Sequence, residues 1–258
     1  MSSTYIPQRA MFIFAHPDDI EFGSAGTAAL WSRGGCDVTY VVLTDGNIGS
    51  HEPGMTAEKL AQIRREEQTN AANVVGARCL FLGEPDGMLQ PTLELRKKLV
   101  RLIRQYQPNV VVCGDPTFYY SDSYINHPDH RAAAQVALEA VFPCADSPLI
   151  FPELLKEGYE PHKVNYVYIS FGRRESNCYI DISETIETKL TALKQHKSQL
   201  KDWNPEERMR QWTAETGKKV GFKYAEAYHR ITLKEIEAET APEAETPGDE
   251  AQRRAQEG

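Results

Sequence analysis

Five short apolar runs, at 11–15, 38–44, 79–83, 110–114 and 164–171, alternate with stretches of helical spacing at 26–32, 56–75, 92–105 and 130–141. Nearly continuous apolar strands must be covered on both faces, so few folds remain open. The pattern predicts a Rossmann-like α/β fold, a mostly parallel sheet with helices on each side. Ligands of such sheets bind at the carboxyl ends of the strands, where strand order reverses. Functional residues are therefore sought just after the first and fourth runs, the usual neighbours at that point.

Both places carry the same tripeptide. His16-Pro17-Asp18-Asp19 follows the first run directly, and His127-Pro128-Asp129-His130 follows the fourth after a loop. Each copy sets a second metal-capable side chain three residues after its first histidine, and positions i and i+3 share a face if the tetrapeptide opens a helix. Either copy alone also reads as an ordinary helix start. Asp18 and Asp19 would complement the helix dipole, and Asn126 would cap a helix with Pro128 in its first turn. Together, at two strand ends of one sheet, they point to a metal site.

A catalytic zinc takes three protein ligands from His and carboxylate and keeps a fourth position open. His16, Asp19 and His130 supply that set. Asp18, turned about 100° from Asp19 on a helix, then faces away from the ion and can take a proton from water as general base. His127, one turn before His130, can donate a hydrogen bond or a proton to a tetrahedral oxyanion or a leaving amine. Such a set suits hydrolysis of an unactivated amide.

Composition narrows the classes. With 258 residues and 41% hydrophobic content, the chain can bury one substantial core, assigned to 1–236. Residues 237–258 hold seven carboxylates, two arginines and no large apolar side chain, and are expected to form a disordered acidic tail. That tail accounts for −5 of the net −8. The remainder is nearly neutral and has no basic cluster suited to nucleic acid. No apolar run approaches the roughly 20 residues that span a bilayer, and no leader pattern is present. Five cysteines, odd in number and never in CxxC, fit free thiols in a reducing compartment, so a cytoplasmic protein is expected.

The segments AHPDDIEFG (15–23) and HPDHRAAA (127–134) resemble the paired signature of the LmbE-like, or PIG-L, zinc-dependent N-deacetylases, which act on N-acetylglucosamine derivatives and related amides. LTDGNIG (43–49), RREEQTNAANVVGA (64–77), LGEPDG (82–87), HKSQ (196–199) and YAEAYHR (224–230) are similar to further family segments, so the likeness runs from 11 to 230. It implies zinc held by His16, Asp19 and His130, with Asp18 as base and His127 as electrostatic or acid catalyst. It also implies Arg64 and Asp86 as holders of substrate hydroxyls, and an N-acetylated amino sugar or its conjugate as substrate. A homo-oligomer is a further expectation. The alternatives are an amidase acting on a thiol-sugar conjugate and a non-catalytic metal- or sugar-binding module. A metal phosphoesterase would call for a second metal and more carboxylates. Some relatives carry a tyrosine two residues before the histidine matching His127; here that residue is Ile125, and Tyr124 is out of register.

Several polar residues have plainer expectations. Leu60, Ile63, Glu67, Ala71 and Val74 share one helical face, so Glu67 requires a partner such as Arg64. His196 is expected at the surface or an interface, within one helix at 182–200. Asp45 reads equally as a turn residue before Gly46 and as a neighbour of the site. The aromatic loop at 115–126 either rims a pocket or packs onto the body.

Overall fold

The computed structural model describes residues 5–172 and 174–235, so the acidic tail expected at 237–258 lies outside the described residues. A seven-stranded sheet forms the centre. In chain order its strands are β1 (Arg9–Phe14), β2 (Asp37–Thr44), β3 (Arg78–Glu84), β4 (Val110–Cys113), β7 (Tyr166–Ile169), β8 (Cys178–Asp181) and β9 (Ala225–Thr232). A separate hairpin pairs β5 (Tyr120–Ser121) with β6 (Tyr124–Ile125). The sheet order is β3-β2-β1-β4-β7-β9-β8. The first five strands are parallel, and β9 and β8 add an antiparallel edge. The expected mostly parallel sheet is present, and its order reverses between β1 and β4.

Strand β1 shows why the sheet needs two covers. Ala10, Phe12 and Phe14 enter one core with Trp31, Tyr40, Val42, Ala71 and Leu190. Met11, Ile13 and Ala15 enter the other with Leu99, Val111, Val136 and Val167. Successive side chains on a strand point to opposite faces, so six consecutive residues serve both layers. Helices α2 (Ala25–Arg33), α3 (Ala57–Val75) and α7 (Ile186–Leu193) contribute to the first layer, and α4 (Leu93–Tyr106) and α5 (Pro128–Glu139) to the second. The described residues also form the short helices α1 (Asp19–Gly23), α6 (Glu153–Lys156) and α8 (Lys197–Leu200), the longer α9 (Glu206–Lys218), and a π-helical turn at Ala140–Ala145 that continues α5.

Helix boundaries follow local chemistry. Thr56 caps α3 by accepting from the Lys59 amide, and Gly76 ends it at φ 82°; Thr92 caps α4 through the Leu95 amide. The single helix expected at 182–200 is instead two, α7 and α8, separated by Lys194–His196. This break turns His196 inward, where its side chain is fully buried. The surface position expected from the mixed polarity of that segment is corrected accordingly.

Candidate active site

The chain leaves β1 into Ala15, whose carbonyl accepts from both the amide and the hydroxyl of Thr44 at the end of β2, at 2.8 and 3.0 Å. That tie fixes the start of the first tetrapeptide. His16 N then donates to Asp19 Oδ2 at 2.9 Å. Asp18 has φ 97° and ψ −26°, and α1 begins only at Asp19. His16 and Asp19 therefore converge through a tight turn rather than by sharing a helical face. At the second tetrapeptide α5 begins at Pro128, and the cap is His127, whose Nδ1 accepts from the Asp129 amide at 3.2 Å. The cap expected at Asn126 is thus displaced by one residue. Asn126 instead donates from Nδ2 to the loop carbonyl of Phe118 at 2.8 Å and accepts through Oδ1 from His130 Nδ1 at 3.0 Å.

The two tetrapeptides meet across the switch point. His130 Nε2 lies 3.2 Å from His16 Nδ1 and 3.1 Å from Asp19 Oδ1, and His16 Nδ1 lies 3.6 Å from Asp19 Oδ2. Ligands at zinc–donor distances of about 2.0–2.1 Å in a tetrahedron stand about 3.3 Å apart, so this triangle has the size an ion requires. The outer nitrogens are engaged as well. His16 Nε2 faces Asp86 Oδ1 at 3.1 Å and Asp129 Oδ2 at 3.4 Å. With a proton on that nitrogen and another on His130 Nδ1 toward Asn126 Oδ1, both inner nitrogens present lone pairs to the centre.

A second grouping, His16, His127 and Asp129, is also close enough to share an ion. Its donors are already committed. Asp129 is wholly buried, and its carboxylate accepts from the amides of Gly87 and Leu89 at 2.7 and 3.2 Å, while His127 Nδ1 serves the Asp129 amide. The His16, Asp19 and His130 set fits an ion better.

Electrostatics favour a cation here. Burial opposes the charging of His16, but hydrogen bonds to Asp129, Asp19 and Asp86 outweigh it and push its pKa up to about 12. Burial likewise disfavours ionised Asp19, yet His130 and His16 hold it well below the ordinary carboxylate range. Asp86 and Asp129 are burdened by desolvation and lowered by His16. Three carboxylates within 3.6 Å of one imidazole make a negative field that also suits a divalent ion. Asp18 behaves differently: burial pushes it up to about 6 despite the opposing charge of Arg64. His127 is lowered, chiefly by burial and then by His16.

Arg64 and Asp86, expected at substrate hydroxyls, are both turned to protein groups. Arg64 is buried; it donates to the carbonyls of Gly46 and Pro17 and reaches Asp18 Oδ2 at 3.1 Å. Gly46, at φ 61°, passes so close to the guanidinium that a Cβ there would collide with it. Asp86 accepts from the Ile48 amide and backs His16. Glu67 does not pair with Arg64 as expected; it takes the amide and hydroxyl of Ser198, each at 2.7 Å. Asp45 pairs with Arg65 and is not among the clustered donors. Reading by spacing missed Asp129, Asn126, Gln68 and Glu21. The signal available for Asp129 and Glu21 was their place inside the two signature segments.

Above the donors opens a cavity of about 430 Å³, with Asp19 and His130 in its lining. Its walls include Phe22, Phe118, Tyr124, Phe171 and Trp212. The aromatic loop thus rims a pocket, and Tyr124 contributes to a wall.

Known proteins of similar sequence and fold point to one family. The family profile described as PIG-L, GlcNAc-PI de-N-acetylase, matches residues 11–141. Diacetylchitobiose deacetylase of Thermococcus kodakarensis is 33% identical over 225 residues, covering 85% of this chain and 81% of that protein. The probable N-acetyl-alpha-D-glucosaminyl L-malate deacetylase 2 of Bacillus anthracis is 28% identical over 205 residues, covering 74% and 81% respectively. The solved structure of N,N'-diacetylchitobiose deacetylase from Pyrococcus horikoshii, complexed with its inhibitor MPG, is similar with a TM-score of 0.81 and 30% identity, covering 88% of this chain and 84% of that one. The chain belongs to the PIG-L family of de-N-acetylases.

Proposed function

We propose that this protein is a zinc-dependent deacetylase that removes the acetyl group from an N-acetylated amino sugar or its conjugate. The observation that carries the proposal is the triangle of His16 Nδ1, Asp19 and His130 Nε2, sized for one ion, beside a carboxylate that is not part of it. Zinc held by those three residues supplies Lewis acidity, which makes water nucleophilic at neutral pH and polarises an amide carbonyl. Asp18 accepts the proton of the attacking water, and Arg64 orients its carboxylate through Oδ2. His127 is half-exposed beside His16, with ring centroids 4.7 Å apart. Because Nδ1 is occupied by the Asp129 amide, Nε2 is the nitrogen available to stabilise the oxyanion or protonate the departing amine. Asp86 and Asp129 hold His16 in the tautomer that leaves Nδ1 free, and Asn126 holds His130 in the one that leaves Nε2 free. The aromatic walls suit the apolar face of a sugar ring and exclude water around the amide.

The deacetylases of similar sequence support the substrate class. No helix among the described residues is long and apolar enough to cross a membrane, and all five cysteines are free, in keeping with a reducing cytoplasm.

The direct test is release of acetate and free amine from N-acetylglucosamine, N,N'-diacetylchitobiose and glycosides of N-acetylglucosamine, followed by mass spectrometry. Turnover is expected with zinc and should vanish on chelation while circular dichroism shows the fold retained. A protein that neither binds one zinc per chain nor hydrolyses any of these amides would sink the proposal.

The pH dependence has a definite sign. A general base works only when ionised, and the ionised fraction of Asp18 falls as pH drops through about 6. A neighbouring cation stabilises the carboxylate and shifts that limb lower. The expected profile of kcat/KM is level near neutrality and declines on the acid side with a midpoint at or below about 6. Activity that increases on acidification would contradict Asp18 as the base.

A further inference from the structure

We infer that α3 clamps a single peptide plane, the one joining Pro17 to Asp18, and that Gln68, Glu21 and His196 are positioning residues which hold the Asp18 carboxylate in place. The inference rests on the reading of Asp18 as base and goes beyond it by assigning a buried apparatus behind that residue.

The geometry begins with two residues one turn apart on α3. Arg64 Nη2 donates to the Pro17 carbonyl, and Gln68 Oε1 accepts from the Asp18 amide at 3.0 Å. The carbonyl and the amide of one peptide unit are thus held by positions i and i+4 of one helix. Such residues lie above one another on a helical face, so their separation is set by the helix itself. The gripped unit leads into a residue at φ 97°, a region that a non-glycine side chain occupies only when its surroundings enforce it. Arg64 also binds the carboxylate of that residue. Backbone and side chain of Asp18 are therefore fixed from one rigid element.

Behind Gln68 the chain of bonds continues inward. Gln68 Nε2 donates to Glu21 Oε1 at 3.0 Å, which leaves the amide oxygen, rather than its nitrogen, facing the Asp18 amide. Glu21 Oε2 lies 3.2 Å from His196 Nε2. Gln68, Glu21 and His196 are each fully buried. A buried carboxylate and imidazole are a costly way to pack α1, α3 and the α7–α8 break together, since apolar side chains of similar volume would serve packing at least as well. What they provide that apolar groups cannot is a fixed orientation for the Gln68 amide. His196 Nδ1 has no hydrogen-bond partner among the described residues, so the hydrogen bonds of its side chain lead toward the site through Glu21. The HKSQ segment thereby gains a role that its sequence alone did not disclose.

The test is a cycle on the zinc-loaded full chain, with N,N'-diacetylchitobiose as substrate. Misplacing a catalytic group by a fraction of an ångström is costly, so Gln68→Met should lower kcat roughly 10- to 100-fold. KM should stay within about twofold and zinc content at one per chain. In an Asp18→Asn background the same substitution should cost less than about twofold, because a residue that acts only through the base has nothing left to position. Hydrogen exchange at the Asp18 amide should quicken in Gln68→Met, a readout that needs no turnover.

Equal losses in both backgrounds, or a lowered Tm with kcat intact, would overturn the clamp. Unchanged turnover in Asp18→Asn alone would instead refute Asp18 as base, and the exchange measurement would still report on the clamp. If Gln68→Met does not fold, the isosteric Glu21→Gln is read the same way, with an expected loss in kcat of roughly 3- to 10-fold that disappears in the Asp18→Asn background. No loss in that variant would also overturn the inference.

Discussion

Asp18→Asn is expected to bind added zinc and lose turnover by roughly 10² to 10⁴, as the proposed role of Asp18 as general base requires, whereas Asp19→Ala is expected to lose zinc binding itself. The two residues are adjacent and chemically identical, and only geometry separates them. Asp19 stands 3.1 Å from His130 Nε2 and 3.6 Å from His16 Nδ1, inside the triangle of donors. Asp18 is turned out of that triangle by its left-handed backbone and faces Arg64. His130→Ala should behave like Asp19→Ala, and His127→Ala like Asp18→Asn, because His127 Nδ1 is bound to a backbone amide instead of the centre. Zinc content by atomic emission, measured beside turnover for all four variants, separates the classes. If Asp18→Asn released the metal while Asp19→Ala retained it, the two roles would be reversed.

Glu226→Ala is expected to destabilise the fold by about 3–5 kcal/mol, since removing one partner strands the other charge in the interior. Lys189 Nζ donates to Glu226 Oε1 at 2.7 Å, and both side chains are almost wholly buried. Glu226 also accepts from the amides of Gly26 and Thr27 at the start of α2, and from the Tyr228 hydroxyl. One truncation therefore leaves two helix-start amides without their acceptor and the Lys189 ammonium without its counter-charge, although that ammonium keeps the Phe22 carbonyl and the Tyr228 hydroxyl keeps Thr27 Oγ1. The pair and its hydrogen bonds join β9, the antiparallel strand between β7 and β8, to α7 and to α2. Urea unfolding measures the loss. A change below about 1 kcal/mol would mean that water replaces the carboxylate and that the edge is not held by this pair.

Much of the fold was legible in the chain because its signals are local. β1, β2 and α3 announce themselves by apolar runs and by helical spacing, and the structure places each within two residues of its expected start. The antiparallel strands β8 and β9 were less visible. Cys178–Asp181 is four residues long and only partly buried, too short for alternation to separate it from a loop. The break between α7 and α8 was equally hidden, since the inward turn of His196 answers to Glu21, 175 residues earlier in the chain.

The sequence by itself determined the order of the first four sheet strands with the helices between them, and the two tetrapeptides that follow β1 and β4, because hydrophobic period and motif spacing are properties of neighbouring residues. From these followed the donor set His16, Asp19 and His130 and the separate standing of Asp18. The tertiary structure decided what those residues rest upon. Arg64 and Asp86 are turned inward, Glu67 is satisfied by Ser198, and Gln68, Glu21 and His196 form one buried line. Each buried polar group must find a partner when water is excluded. Which partner it finds depends on distances across the folded chain that no local spacing encodes.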